Sequence, residues 1–226
     1  MDCSSGWIMK PVLLDFNGTL FFDTCFHLEA WSKIYKEFHP DAYEVPERAF
    51  FCGPRNDDII YTIAPDLTEL KRQQWSERKE ELYRTICREN PDKLHLVKGA
   101  EDFLQYLKEH NYPFILASAS IKANIDFYFD TFRLERWFDK ETCVFDNGLY
   151  KNKGEMHVEA AKRLGYGISE CLVVEDSLNA IMHSKSYGAG MILAIGDKDM
   201  CSELKHAGAD YCIEDFTEFD YGWLNI

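Results

Sequence analysis

From Gly99 onward the sequence alternates between short apolar runs and segments whose apolar residues recur at spacings of three and four. Runs of this length are typical of buried strands, and the segments between them are typical of amphipathic helices. A similar apolar run lies near the N-terminus. The runs are residues 12–16, 114–117, 143–145, 171–174 and 191–194. Strands that alternate with helices predict an α/β fold with a doubly wound, Rossmann-like parallel sheet, covered by helices on both faces.

Between the first run and the alternating region, the chain is polar and has a helical rhythm. Asp66 or Thr68 could cap one long helix in this stretch. An earlier apolar helix face is formed by residues three and four apart, namely Leu28, Trp31, Ile34, Tyr35 and Phe38. We therefore expect two domains. They are an α/β core of residues 1–22 and 91–226, and an inserted α-helical cap domain of residues 23–90.

The charge of the chain restricts its partners. There are 25 basic and 39 acidic side chains, and 25 − 39 gives a formal charge of −14. Such an acidic surface is a poor partner for nucleic acids or anionic membranes. No apolar stretch approaches the roughly 18–20 residues that span a bilayer, and the segment 1–10 has no pattern of a secretory signal. The eight cysteines are scattered without a CxxC pair. This usage predicts reduced thiols in a cytoplasmic protein.

Polar residues follow several of the predicted strands, at the edge of a parallel sheet where active sites lie. Asp15 follows the first strand, where a carboxylate could attack an electrophile, although a plain turn explains the segment equally well. Ser118 is followed by backbone N–H groups that enter a helix and could cradle an anion. The adjacent acids Glu175 and Asp176 suggest a site for a hard cation such as Mg²⁺, or a simple helix cap.

A lysine precedes another predicted helix. Lys151 is the first candidate for a positive charge at the same sheet edge, and Lys153 competes with it. A lone lysine is more often a solvated surface charge. The arrangement of all four features at one edge, in the order carboxylate, hydroxyl, lysine and acid pair, argues against coincidence.

In this order and spacing the sequence resembles the haloacid dehalogenase superfamily, in its branch of phosphatases and phosphomutases related to beta-phosphoglucomutase. The resemblance covers residues 10–215 and is most detailed in 15–31 and 155–190. It implies the α/β core with a helical cap. It also implies that Asp15 forms an aspartyl-phosphate, that Ser118 binds the phosphate and that Lys151 balances its charge.

The resemblance further implies a Mg²⁺ site and a substrate-binding region. The metal ligands would be Asp15, Glu175, Asp176 and the backbone carbonyl of Asn17. His27 would face the substrate from the first cap helix, and Arg55 belongs to the segment 53–58 that occupies the place of the family's specificity loop. The residues expected to contact a small phosphorylated metabolite are Gly18, Thr19, His27, Arg55, Ala119 and Ser120.

Asn17 is the main departure from the family pattern. The family's phosphatases carry an aspartate here, which protonates the leaving oxygen and then activates water. An amide cannot carry a proton in this way, and general acid–base catalysis is typically worth about 10²–10⁴-fold in rate. The sequence therefore predicts a phosphatase whose turnover is slow or limited to good leaving groups.

Other readings remain open. The chain could be a weak or inactive protein that only binds a phosphate ligand. It could also be a phosphonate hydrolase or phosphomutase-type relative, although none of the candidate lysines Lys33, Lys36 and Lys71 stands out as a Schiff-base former. The Glu175–Asp176 pair argues against a dehalogenase, because the family's dehalogenases do not rely on Mg²⁺.

Overall fold

The computed structural model describes residues 9–51 and 54–225. Cys3, Cys52, Gly53 and most of the segment examined for a secretory signal lie outside the described residues. The chain forms two compact units. The core unit contains the residues up to 22 and those from 96 onward, and the helical unit contains residues 23–95. The chain re-enters the core unit five residues later than the predicted boundary at 91.

A parallel sheet forms the centre of the core unit. Its strands are β1 Val12–Leu14, β2 Phe114–Ile121, β3 Val144–Asp146, β4 Leu172–Glu175, β5 Met191–Ile195 and β6 Tyr211–Ile213. Their order is β3-β2-β1-β4-β5-β6, and every neighbouring pair is parallel. From β1 the chain adds β2 and β3 on one side of the sheet and then β4, β5 and β6 on the other. The prediction of a doubly wound α/β sheet is confirmed, and β6 is a strand that the apolar pattern did not reveal.

The helical unit contains the first four helices. They are α1 Thr24–Phe38, α2 Arg48–Phe51, α3 Asn56–Ile63 and α4 Glu69–Glu89. Thr68 caps α4, because its hydroxyl accepts the N–H of Lys71 at 3.4 Å. The unit has its own apolar cluster, in which Trp31 and Ile34 of α1 meet Ile60 of α3.

The core unit contains the remaining helices. They are α5 Ala100–Glu109, α6 Lys122–Phe132, α7 Lys153–Leu164, α8 Leu178–Ser186 and α9 Lys198–Ala207. Short 3-10 turns in the core unit lie at Leu134–Arg136, Ile168–Glu170, Phe216–Glu218 and Tyr221–Leu224, and the turn at Pro91–Lys93 belongs to the helical unit. The core forms around β1, whose residues Val12, Leu13 and Leu14 are all fully buried. No described helix is long and apolar enough to cross a membrane.

Two of the scattered cysteines are bonded to each other. Cys201 of α9 and Cys212 of β6 form a disulfide, so the prediction that all thiols are reduced is wrong for this pair. The sequence could not show it, because the two residues meet only once α9 packs beside β6. Cys25, Cys87, Cys143 and Cys171 are free thiols. The cytoplasmic location stays a prediction, and the disulfide counts against the reasoning behind it.

Candidate active site

Three carboxylates meet at the carboxyl edge of the sheet. β1 and β4 are neighbours in register, with Leu14 opposite Val174, so Asp15 and Glu175 emerge side by side. Asp15 is held there by its backbone N–H, which donates to the Val174 carbonyl at 3.1 Å. One oxygen each of Asp15, Glu175 and Asp176 lies within 4.8 Å of the others. Asp15 and Glu175 are almost fully buried, and Asp176 is half-buried.

A buried lysine lies against these carboxylates. The Lys153 ammonium forms an ion pair with Asp15 and lies 3.1 Å from Oε1 of Glu175. Burial alone would lower the pKa of Lys153, but the two carboxylates outweigh burial and raise it. Burial also raises the pKa of Asp15 to about 7, with Lys153 opposing this rise and Glu175 adding to it. The buried carboxyl groups of Asp15 and Glu175 therefore share one buried lysine as their partner.

The position of this lysine corrects the expectation for Lys151. Lys151 is exposed, and its backbone N–H donates to Glu155 at 2.8 Å. Asn152 caps α7 by accepting the N–H of Glu155 at 3.1 Å, which makes Lys153 the first residue of the helix. Lys153 thereby points into the site, whereas Lys151 stays in the preceding turn.

Asn17 lies in a cluster of hydroxyl groups. Its Nδ2 donates to the Tyr128 hydroxyl at 2.7 Å, and its Oδ1 accepts from Ser120 at 2.7 Å and from Ser118 at 3.4 Å. Ser118 is fully buried and also accepts the backbone N–H of Ser120 at 3.2 Å. Ala119 between them is exposed. The predicted residues Asn17, Ser118 and Ser120 are thus brought together, and Tyr128 is an addition that the sequence did not reveal.

The turn after Asp15 is shaped by Gly18. Its φ of +74° lies in the left-handed region that glycine tolerates, and a Cβ atom here would overlap the Asp176 carboxylate. The glycine therefore lets the backbone approach a candidate metal ligand. The next residue, Thr19, is fully buried, and its hydroxyl has no hydrogen-bond partner among the described residues.

A buried histidine, also missed in the sequence, lies behind Glu175. The Ser184 hydroxyl donates to the Ala180 carbonyl at 2.7 Å, so the 2.7 Å bond between Ser184 and His157 must be donated by Nδ1–H of His157. Its Nε2 then lies 3.7 Å from Oε1 of Glu175. Burial, assisted by the charge of Lys153, holds the pKa of His157 well below its usual range.

His27 and Arg55 lie in the helical unit. His27 is 2.7 Å from the Lys79 ammonium through Nδ1, 3.1 Å from Asp23 through Nε2, and stacked on Tyr83. Arg55 is exposed and directly precedes α3. The candidate Schiff-base lysines Lys33, Lys36 and Lys71 are exposed as well.

The site suits a hard divalent cation. Asp15, Glu175 and Asp176 offer only carboxylate oxygens, the ligand type that Mg²⁺ prefers. The close approach of Gly18 to Asp176 also brings the backbone next to one of these carboxylates. The donor set therefore fits Mg²⁺ in its chemistry.

Comparison with known proteins agrees with this geometry. Residues 9–185 match the haloacid dehalogenase-like hydrolase family. A haloacid dehalogenase hydrolase of family IA, variant 3, from Entamoeba histolytica is 30% identical in sequence. Its structure covers 96% of this chain and 97% of its own length, with a TM-score of 0.87.

Two further relatives are more distant or matched only in part. The bifunctional riboflavin kinase/FMN phosphatase of Arabidopsis thaliana is 35% identical over 104 residues, which are 45% of this chain and 27% of that protein. The chain thus spans about a quarter of that relative. CbbY from Rhodobacter sphaeroides, solved with xylulose-1,5-bisphosphate, shares the fold at 18% identity, with a TM-score of 0.77 over 97% of this chain and 100% of its own. Since the family match covers most of the chain and includes the whole carboxylate cluster, the chain belongs to the haloacid dehalogenase-like hydrolase family.

Proposed function

We propose that the chain is a Mg²⁺-dependent phosphohydrolase that removes a phosphoryl group from a small metabolite through an aspartyl-phosphate on Asp15. The observation that carries this proposal is the cluster of Asp15, Glu175 and Asp176, in which the first two carboxylates are buried and pair with the Lys153 ammonium. A nucleophilic carboxylate, a fixed cation and a set of oxygen ligands are the parts that phosphoryl transfer needs.

Each residue would have a separate task in the reaction. Asp15 supplies the attacking oxygen, and Lys153 offsets the charge of nucleophile and phosphoryl group. Ser118, with the backbone N–H groups that follow it, holds the phosphoryl oxygens. Bound Mg²⁺ would be held by Asp15, Glu175, Asp176 and the main-chain carbonyl of Asn17, and it would add positive charge next to the phosphoryl group.

The proposed class of substrate is inferred from the similar proteins. An FMN phosphatase and a protein solved with a sugar bisphosphate are among the similar proteins, which supports a small phosphorylated metabolite as substrate. Within the helical unit, His27 lies between the Lys79 ammonium and the Asp23 carboxylate.

The test is turnover of phosphate compounds by the full chain. We expect release of phosphate from at least one member of a panel containing FMN, a sugar phosphate, acetyl phosphate and aryl phosphates. Activity should require Mg²⁺ and vanish in Asp15→Asn, and a labelled phosphoryl group should be trapped on Asp15 by acid quenching. If no turnover depends on Asp15, the proposal that the chain is a phosphohydrolase is rejected.

A second candidate function rests on Asn17. A protein with this amide could bind phosphate compounds without turning them over. That alternative predicts that a phosphate ligand raises the melting temperature of the chain while phosphate release stays at the level of Asp15→Asn.

A further inference from the structure

The start of helix α7 packs against the end of helix α8, and this contact lies next to the lysine of the candidate site. We propose that Tyr187 is a positioning residue, which packs against Gly154 and thereby holds the neighbouring Lys153 in the candidate site. The inference rests on the proposed function, because the task of Lys153 in turnover belongs to that proposal. It adds a residue from outside the carboxylate cluster.

The backbone of the buried Gly154 lies directly against the aromatic ring of Tyr187. A Cβ atom at position 154 would lie 2.5 Å from Cδ2 and 2.9 Å from Cε2 of this ring, and 3.0 Å from the carbonyl oxygen of His183. Carbon atoms in favourable contact are about 3.5–4.0 Å apart, so these separations are overlaps. Any side chain at position 154 would therefore push the first turn of α7 away from α8 or displace the ring.

A second contact of Tyr187 reaches the same turn. Its hydroxyl donates to Oε1 of Glu155 at 3.4 Å, and Oε2 of Glu155 accepts the backbone N–H of Lys151 at 2.8 Å. The backbone N–H of Glu155 in turn donates to the cap residue Asn152 at 3.1 Å. Because the hydroxyl bond is long, we assign most of the effect to the ring of Tyr187 and little to its hydroxyl.

The two helices have little freedom to slide past one another. One turn further into each helix, the side chains of His157 and Ser184 are hydrogen-bonded at 2.7 Å, and both are fully buried. The backbone N–H of Tyr187 donates to the His183 carbonyl at 3.0 Å, which fixes the residue that carries the ring to the end of α8. A change at the contact with Gly154 is therefore taken up in the first turn of α7.

The position of Lys153 depends on this turn, because Lys153 is the first residue of α7. Its ammonium pairs with Asp15 and lies 3.1 Å from Oε1 of Glu175, and its side chain is only 10% exposed. A buried side chain has little room to adjust when its own backbone moves. Misplacing a group by about 1 Å in a reacting arrangement can cost about 100-fold in rate.

The first test adds a methyl group at the contact. The full chain is assayed with Mg²⁺ and the best substrate of the panel. We expect Gly154→Ala to lower kcat by about 10–100-fold. KM should change by less than about threefold, since the charge of Lys153 acts mainly in the transition state. Gly167→Ala is the matched control, because its φ is an ordinary −82° and its Cβ would meet only side-chain ends, the nearest 3.3 Å away.

The second test removes the ring and leaves position 154 as it is. We expect Tyr187→Ala to lower kcat by about tenfold, whereas Tyr187→Phe keeps the ring and should stay within about twofold of the wild type. Tyr211→Ala is the control, since Tyr211 is 41% exposed against 40% for Tyr187 and lies on the edge strand β6. An unchanged kcat in both Gly154→Ala and Tyr187→Ala overturns the inference.

A comparison in the background of Lys153→Met separates positioning from general support of the fold. If Tyr187 acts through Lys153, adding Tyr187→Ala to Lys153→Met should lower kcat by less than a further factor of about two, because residues that act as a unit are not additive. A merely structural role would lower kcat by the same factor in both backgrounds. That result overturns the inference.

A separate readout of the lysine needs no turnover. The full chain is treated with an amine-acetylating reagent and digested, and the labelling of each lysine is followed by mass spectrometry. Lys153 should be protected in the wild type and react several times faster in Gly154→Ala and Tyr187→Ala. Lys162 at the exposed end of α7 is the internal reference and should react alike in all three proteins. Equal protection of Lys153 in all three overturns the inference.

Failure of this inference can be told apart from failure of the proposed function. Turnover that depends on Asp15, with neither kcat nor the labelling of Lys153 altered in the variants, rejects the positioning role and keeps the phosphohydrolase. If labelling of Lys153 rises in the variants but no turnover depends on Asp15, Tyr187 does hold the lysine and the phosphohydrolase is rejected.

Discussion

The Lys153 ammonium lies 3.1 Å from Oε1 of Glu175 while it also pairs with Asp15. One cation thus joins the candidate nucleophile to a candidate metal ligand on the neighbouring strand. The side chain of Lys153 is only 10% exposed, so this link is screened very little by solvent or salt.

We expect Lys153→Met to lower kcat for the best substrate by about 10²–10³-fold, because a fixed charge next to the reacting phosphoryl group is lost. Lys151→Met is the matched control, two residues away and exposed, and should stay within about twofold of the wild type. Steady-state kinetics of both variants measure these changes in kcat. A larger loss in the Lys151 variant would contradict the placement of Lys153.

We expect Gly18→Ala to abolish Mg²⁺-dependent turnover, because the added methyl group would displace the Asp176 carboxylate. Gly148→Ala is a close control, since Gly148 has a similar φ of +79° but open space around its Cβ position. Both variants should lose about 1–2 kcal/mol of stability from the strained backbone, measured by urea unfolding. Equal activity of the two variants would show that the approach of Gly18 to Asp176 is unimportant.

We expect Asp176→Asn to weaken the binding of Mn²⁺, used as a probe for Mg²⁺, by at least about tenfold, since even residues behind metal ligands typically contribute 10–100-fold. Calorimetric titration of the metal gives this value without any substrate. Asp199→Asn, at the start of α9, should bind the metal like the wild type. Undiminished affinity in Asp176→Asn would remove this residue from the metal site.

Acid should weaken the helical unit through Glu80. Burial opposes ionisation of Glu80, but the charges of Lys79 and His27 outweigh it and lower the pKa of Glu80 to about 2 from 4.5. The carboxylate therefore contributes roughly 3 kcal/mol above pH 4.5, and this is lost as the pH falls from 4.5 toward 2.

The measurement is the free energy of unfolding of the full chain at pH 5 and pH 3. In Glu80→Gln the difference between the two pH values should shrink by a large part of this amount. Glu81→Gln, an exposed neighbour on the same helix, should behave like the wild type. The same pH difference in all three proteins would contradict the role given to Glu80.

The position of the carboxylates was predictable because strand ends of a parallel sheet meet at one edge. Asp15, Ser118 and the Glu175–Asp176 pair each follow an apolar run. A polar residue that directly follows a buried strand lies at the carboxyl edge of the sheet. The order of the strands then brings β1 and β4 together, so residues 160 positions apart become neighbours.

The sequence did not predict the position of residues that depend on where a helix begins or on how its side chains pack. Lys151 and Lys153 look alike in the sequence, and only the cap formed by Asn152 decides which of them faces inward. The spacing of Asn152 and Glu155 is a capping pattern and could have given the answer. Tyr128 gave no such signal, because an aromatic residue inside a helix usually belongs to the apolar core.

The helical unit leaves and rejoins the core unit at one point. The backbone N–H of Val97 donates to the carbonyl of Leu20 at 2.8 Å, so the two chain segments that flank the insertion lie side by side. A short loop of a few residues would be enough to join them directly. The insertion can therefore be lengthened, shortened or exchanged for another domain while both anchoring segments stay in place, which leaves the sheet that carries the candidate site and the inserted unit free to evolve separately.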